Sequence, residues 1–350
     1  MNNYLSASRI KKLEECSWQY YCRYVLKLPD ESNDGAKMGS ICHNVFEYLG
    51  KDRHKKHFDS IIEAQNIEGS KAVNKYVNIC ASKEGVDSQQ HITLLNKMIL
   101  QGLSYDFYGK KFGKPIESFS EIDFQIEVDK DDKKYRILGF IDKLFLYENG
   151  AVLIRDFKSS KKKFEGKEID DNVQDLMYRL AVKNMFPEYY DAKMEFVFLQ
   201  YPCENGDGVI NTPHVCDTEL SGFEHYLTDL QRTVDNFDEK LAERNMAYDK
   251  GYLHSSAGFS GRLVCGRSDH PEEKKIDGSN KWFCRMKFPF FYWALLDKNG
   301  AILNTSKEKK DLGKPKKGEK IEKRFYKGCP KFKFLEYSQD MNAKAKKEGL

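Results

Sequence analysis

Residues 152–160 read VLIRDFKSS, an apolar run that stops abruptly on Asp156, Phe157 and Lys158. Side chains alternate along a strand, so Asp156 and Lys158 share one face while Phe157 points into the core. The stretch AVLIRDFK (151–158) follows Glu148-Asn149-Gly150, a hairpin signal. Before that signal, YRILGFIDKLFLY (135–147) is a long strand pattern. EIDFQIEV (121–128) alternates strictly, with Ile122, Phe124, Ile126 and Val128 on one face. Three strands in succession predict an antiparallel meander. Folding the chain back at 148/149 sets residue 142 opposite roughly residue 155 or 156, so the Asp142 and Asp156 carboxylates come close. Two close carboxylates repel, and burying both unpaired is costly. A hard divalent cation resolves that conflict. Mg²⁺ takes oxygen ligands and usually only one or two protein carboxylates, the rest being water and substrate phosphate. Lys158 beside them can stabilise an anionic transition state or help deprotonate a bound water. The plainer reading is an amphipathic hairpin with a surface salt bridge, since one D-x-K in a strand is a weak sign.

Outside the meander, residues 4–28 have helical spacing, with Ser6 or Ser8 able to cap the start. Asp34-Gly35 marks a turn. A second helix starts near Gly39, with Ile41, Val45, Phe46 and Leu49 inward, and 51–115 reads as further helices. Residues 168–186 carry an apolar stripe at Val173, Leu176, Met177, Leu180 and Ala181. MEFVFLQY (194–201) is again a strand. Strand, helix, strand at this spacing implies a crossover and a mixed sheet with helices on it. Residues 219–248 read as one more long helix, and the chain beyond 250 as irregular.

The chain has 350 residues and a net charge of +4. Its last fifty residues hold fifteen Lys/Arg against seven Asp/Glu, so the first 300 are net negative. The segment from Lys307 to Lys333 interleaves basic groups with Phe325, Tyr326, Phe332 and Phe334, which suits either a polyanionic, base-stacking partner or a solvated tail whose aromatics pack on the domain. No stretch is apolar enough to span a bilayer, so no membrane partner is expected. The N-terminus has no apolar signal core, which predicts a cytoplasmic protein, in the host cytoplasm if the source is viral. The nine cysteines are odd in number and scattered, and are expected to be reduced.

Five short motifs in order carry a family resemblance. GFIDK (139–143), DFKSSK (156–161) and Gln174-Asp175-Leu176-Met177-Tyr178 resemble the three-part signature of the PD-(D/E)XK nuclease superfamily in its RecB-like branch: G-x-(I/V)-D, D-x-K and Q-x-x-x-Y. GSICHNVFE (39–47) resembles that branch's G-x-x-x-H-x-x-x-E helix. SASRIKKLEECSWQYYCRYVL resembles its opening segment, with Ser17 where proline is usual. The resemblance implies an α/β, restriction-endonuclease-like core: a mixed central β-sheet flanked by helices, with a helical N-terminal and an irregular C-terminal elaboration. It implies a single nuclease domain over 1–300, with its catalytic core at about 116–201 and a helical segment at 36–115, followed by a basic segment at 301–350.

Carried over residue by residue, the resemblance makes Asp142, Asp156, His43 and the Phe157 carbonyl ligands of Mg²⁺ or Mn²⁺. Lys158 becomes the catalytic lysine, with Gln174 and Tyr178 one helical turn apart positioning the site and the DNA strand. Glu121 and Glu47 are further candidates. Lys161, Lys162 and Lys163 leave the catalytic strand where phosphate must lie. The activity implied is metal-dependent hydrolysis of DNA, as an exonuclease on single strands or DNA ends in recombination, repair, replication or phage DNA metabolism. The chain has no G-x-x-x-x-G-K-[ST], so a helicase or recombination motor would be another protein. The alternatives are a nuclease subunit of a larger assembly and a catalytically silent nucleic-acid-binding protein.

Many RecB-like nucleases add an iron–sulfur staple of one N-terminal cysteine and a C-terminal C-x-x-C…C set. Cys16 matches the first. Cys284-Arg285-Met286-Lys287 puts lysine where a second cysteine would stand, so an iron–sulfur cluster is not expected. A zinc site from Cys265, His270, Cys284 and a fourth ligand such as Cys16 is chemically open, though its spacing fits no common pattern. Buried free thiols are the default.

Overall fold

The structure, a computed structural model, describes residues 3–30, 32–249 and 264–350. The chain forms two compact units, Met1–Ala7 with Ser32–Arg232, and Ser8–Glu31 with Thr233–Leu350.

The first unit is built on a five-stranded sheet in the order β1-β2-β3-β4-β5. Its strands are β1 (Glu117–Lys130), β2 (Lys133–Leu146), β3 (Ala151–Lys158), β4 (Asp191–Phe198) and β5 (Val209–Asn211). β1 and β2 pair antiparallel along their whole length. β2 and β3 also pair antiparallel, but only from Leu146↔Val152 to Lys143↔Arg155, after which the ladder ends. β3 then pairs parallel with β4 over all of its residues. The expected meander and crossover are both present. α7 (Lys167–Asp170) and α8 (Val173–Met185) form the crossover.

Both faces of the sheet are covered, which is why β3 reads as a nearly unbroken apolar run. On one face lie α3 (Asp34–Leu49), α4 (Lys55–Ala64), α5 (Lys71–Glu84) and α6 (Gln89–Ser104). Phe157 packs there against Phe46 of α3, ring centroids 4.3 Å apart. Leu95, Met98, Val197 and Leu199 close the same core. α8 covers the other face, where Tyr178 meets Phe124 edge-on at 6.0 Å. Asp34-Gly35 is not a turn but the first turn of α3. Asn33 caps it by accepting the Ala36 N–H at 2.9 Å, which pulls the following residues into helix.

Arg155 is fully buried between the sheet and the start of the 105–112 segment. Its guanidinium pairs with Glu195 on β4 and donates to the Asp106 carbonyl at 2.7 Å. Tyr105 donates to the other Glu195 oxygen at 3.1 Å. This network holds β3 to β4 just below the chain's charged turn-off.

The second unit contains α1 (Ala7–Glu15), α2 (Ser17–Tyr20) and a π-turn at Tyr21–Val25. The expected 4–28 helix is thus broken at Cys16, whose backbone is extended (φ −162°, ψ 107°). α9 (Asp217–Asp235) is shorter than expected, and α10 (Glu239–Ala242) follows it after a break. The region read as irregular contains a three-stranded sheet, β7-β6-β8. Its strands are β6 (Phe290–Leu296), β7 (Ile302–Ser306) and β8 (Lys320–Tyr326), and α11 (Glu336–Lys347) follows. The expected boundary at 300/301 falls in the β6–β7 hairpin. The basic segment is not a free tail: Tyr326 and Phe332 are buried, and only Phe334 of its aromatic cluster stands well out. Charged residues on both faces of β8, of which only Tyr326 is buried, masked its strand period.

Arg155→Met alone is expected to cost about 3–5 kcal/mol in denaturant unfolding, because it strands the buried Glu195 carboxylate. Arg155→Met combined with Glu195→Leu is expected to regain most of that loss.

Candidate metal centre and active site

Three strands and two helices deliver charge to one point. His43 lies on the inner face of α3, four residues after Gly39. A Cβ on Gly39 would fall 2.6 Å from Ser159 Oγ, so glycine there lets α3 approach the end of β3. Glu121 stands across from Asp142 in the β1–β2 register. Its φ of +53° is a left-handed conformation that a non-glycine residue rarely adopts, and local strain is held in place here by the sheet. A Cβ on Gly139 would fall 2.6 Å from the Phe124 ring, so the glycine of GFID lets β2 pass beneath that ring.

His43 Nδ1 is 3.1 Å from Asp142 Oδ1 and 3.6 Å from Glu121 Oε1. The donor atoms of these three residues all lie within 4.8 Å of one another, the one such group among the described residues. Asp142 Oδ2 accepts the Phe157 N–H at 2.7 Å. That N–H has lost its β2 partner, because the ladder ends at Lys143↔Arg155. In a strand the N–H and C=O of one residue point to the same side, so the Phe157 carbonyl faces the same gap. Asp156 lies one register step further on, across from Asp142.

Asp156 belongs to a second cluster beside the first. Its Oδ1 accepts from Gln174 Nε2 at 2.6 Å. Its Oδ2 lies 2.7 Å from Lys158 Nζ but makes no hydrogen bond. Lys158 donates to Gln174 Oε1 at 2.7 Å. Gln174 also donates to the Tyr178 hydroxyl at 2.7 Å, and that hydroxyl donates to the Phe140 carbonyl at 2.5 Å. α8 is pinned so that Gln174 and Tyr178 face the strands: Arg179 pairs with Asp175 at 2.6 Å and donates to Thr212 Oγ1 at 2.9 Å.

The electrostatics are those of an anionic pocket awaiting a cation. Burial and the neighbouring Asp156 push Asp142 up to about 6, against the pull of His43 and the Phe157 N–H. Burial opposes charge on His43, but Asp142, Glu121 and Asp156 together outweigh it and push its pKa up to about 10. Burial and then Asp156 and Asp142 push Tyr178 well above the usual phenol range, so it stays a neutral donor. Nitrogen and oxygen donors and excess negative charge fit a hard divalent ion.

The sequence of the chain matches the PD-(D/E)XK nuclease superfamily over residues 4–250, and the chain belongs to that superfamily. It is 25% identical over 202 residues to an ATP-dependent helicase/deoxyribonuclease subunit from Streptococcus uberis. That match covers 54% of this chain and 17% of the relative, so the chain spans about a sixth of that protein's length. A solved structure from Eubacterium rectale that carries an exonuclease name aligns with a TM-score of 0.40 at 12% identity, covering 69% of this chain and 82% of that one.

Of the residues singled out from sequence, His43, Asp142, Asp156, Phe157, Lys158, Gln174, Tyr178 and Glu121 meet at this point. Glu121 is within the tight group of donors and Asp156 is outside it, turned to Lys158 and Gln174. Glu47 stands apart, pairing with Lys51 at 2.8 Å. Lys161 and Lys162 are exposed after β3, while Lys163 is tied to the Asp207 carbonyl at 2.8 Å. The β1–β2 register makes Phe140 a further exposed neighbour, two residues before Asp142 on the same face. Nothing in its residue type announced it.

A second group of ligand-type side chains lies in the other unit. Cys16, Cys265, Cys284 and Cys329 line one small chamber with Trp18, Met286 and Lys287. Four of the nine cysteines are therefore gathered, and Cys329, not singled out from sequence, completes the set. Backbone bonds hold the group: Cys284 N–H donates to the Cys265 carbonyl at 3.1 Å, and Cys329 N–H to the Lys287 carbonyl at 3.2 Å. His270 is not part of the lining, and its ring packs edge-on against Tyr337 at 4.8 Å. Burial pushes Cys265 up to about 11 and Cys284 up to about 12, and raises Cys329 further.

A cation entering the first site must displace the proton on His43. Between the Asp142 value of about 6 and the His43 value of about 10, Mn²⁺ affinity is expected to rise by about tenfold per pH unit. Calorimetric titration of the wild type and of His43→Asn from about pH 6 to 8 checks this, and the variant is expected to keep only the slope set by the proton on Asp142, which loses the lowering influence of His43.

Proposed function

We propose that this chain is a divalent-metal-dependent deoxyribonuclease that acts as an exonuclease on single strands or DNA ends. The observation that supports this reading most directly is the junction of two clusters. His43, Glu121 and Asp142 form a hard-cation site, and Asp156, Lys158 and Gln174 adjoin it. Mg²⁺ or Mn²⁺ bound there would supply Lewis-acid stabilisation of a phosphate and lower the pKa of a water. His43, Glu121, Asp142, Asp156 and the Phe157 carbonyl would hold it. Lys158 is placed to receive the negative charge that develops on the phosphate in the transition state. Gln174 orients Lys158 and Asp156 together, since its amide bonds to both. Tyr178 fixes the Phe140 carbonyl and so the strand that carries Asp142. Lys161 and Lys162 follow directly and can track the phosphate backbone.

The relative named above is a subunit of an ATP-dependent helicase/deoxyribonuclease, and it supports a helicase as a partner. The four clustered cysteines support a metal of their own. Thiolates take soft metals, and four of them are the ligand set of zinc or of an iron–sulfur cluster. This reading replaces the expectation of isolated free thiols.

The test of the nuclease reading is cleavage of end-labelled linear and covalently closed circular single-stranded DNA with Mg²⁺, Mn²⁺ or EDTA. Metal-dependent loss of the linear strand only is expected, with Asp142→Asn and Lys158→Ala each slower by roughly a thousandfold. Cutting of the circle would make the enzyme an endonuclease. DNA binding without cleavage of either substrate would leave a binding module.

A further inference from the structure

Lys287 stands three residues after Cys284, where a C-x-x-C pair would place its second sulfur. The lysine does not point to water. It is 1% exposed and lines the chamber that the four cysteines share. Nζ donates to the Gly266 carbonyl at 3.1 Å and lies 4.2 Å from the centre of the Phe332 ring. Among the described residues no carboxylate forms an ion pair with it. Asp269 and Glu273 are the acids near enough to influence it. Glu273 is already committed to Lys281 and to the Asp269 N–H.

A buried ammonium with one carbonyl and two rings for company, Phe332 and, at 5.5 Å, Phe288, is costly to keep. Four thiols beside it are individually neutral. The two oddities cancel if the thiols become thiolates around a metal. A divalent ion, or a cluster core of the same charge, ringed by four thiolates keeps a formal double negative charge. An ammonium already inside the chamber neutralises half of it. The backbone adds a mechanical link, because Lys287 N–H donates to the Cys284 carbonyl at 2.8 Å and the Lys287 carbonyl accepts from Cys329.

We propose that Lys287 is the built-in counter-charge of a four-thiolate metal centre in which Cys329, rather than a residue at position 287, supplies the fourth ligand. This rests on the four-thiol reading above. The lysine displaces the ligand and compensates for it: the sulfur comes from a distant segment, and the vacated position carries the opposite charge.

The test uses the full chain purified without oxygen. Iron, sulfide and zinc are quantified, and metal loss to a chelator is timed for the wild type, Lys287→Met, Lys287→Arg and Cys329→Ser. The wild type is expected to hold iron with sulfide and to absorb in the visible, or to hold one zinc per chain without absorbing. Cys329→Ser is expected to lose most of the metal. Lys287→Met is expected to release it roughly tenfold faster, with Lys287→Arg close to the wild type. With a cluster present, the midpoint potential of Lys287→Met is expected to fall, since an added electron loses its nearby positive charge.

A metal-free wild type with four thiols open to alkylation would end the four-thiol reading itself. A metallated wild type whose Lys287→Met variant keeps the wild-type release rate and potential would overturn the role of Lys287 alone. Full metal retention in Cys329→Ser would overturn the fourth ligand. Should Lys287→Met aggregate, Lys287→Gln reads the same loss of charge in a polar side chain.

Discussion

The first unit depends on one hydrogen bond that is not part of any ladder, from the Phe157 N–H to the Asp142 carboxylate. β2 and β3 cease to pair just before it, and β3 continues alone against β4. A buried N–H at such a parting must find an acceptor. Asp142 supplies it with one oxygen and leaves the other facing His43. The parting of the strands thus creates the cleft, and the bond that repairs it aims the carboxylate.

Everything around that bond carries a cost in stability. Asp142 and Asp156 are held close and buried, Glu121 is held at a positive φ, and Asp156 keeps an oxygen without a hydrogen bond. The sheet can carry this because its lower half is overdetermined. Arg155 bonds Glu195 and the adjacent Tyr105 and Asp106 carbonyls, and Phe157 is gripped by Phe46. A rigid floor under a strained rim is what a preorganised cation site requires.

The second unit solves a different problem. A small three-stranded sheet and short helices bury a modest core, and small cores need added constraint. Four sulfurs drawn from three separate stretches of chain, with a lysine enclosed among them, would supply such a staple if metallated. On the proposed reading the two sites would divide donor chemistry along the usual line: oxygen and imidazole for a hard ion in one unit, thiolate for a soft one in the other.

Short-range features carried most of what was legible in the sequence. The period-two runs of β1, β2 and β3, the Glu148-Asn149-Gly150 turn and the helical stripe of α8 are local patterns. They were enough to place Asp142 across from Asp156 and to set Gln174 on the helix that follows β3. β8 was missed because charged residues fall on both of its faces and leave no alternation to read, and α3 was begun too late because Asn33 is a cap whose effect depends on the helix after it. What only the tertiary structure decided is long-range. Glu121 joins the cation trio while Asp156 turns aside to Lys158 and Gln174, and Cys329 meets Cys16 across more than three hundred residues of sequence. Spacing along a chain reports which side chains share a strand or a helix. It carries no record of which distant segments meet, because that is settled by how whole faces pack.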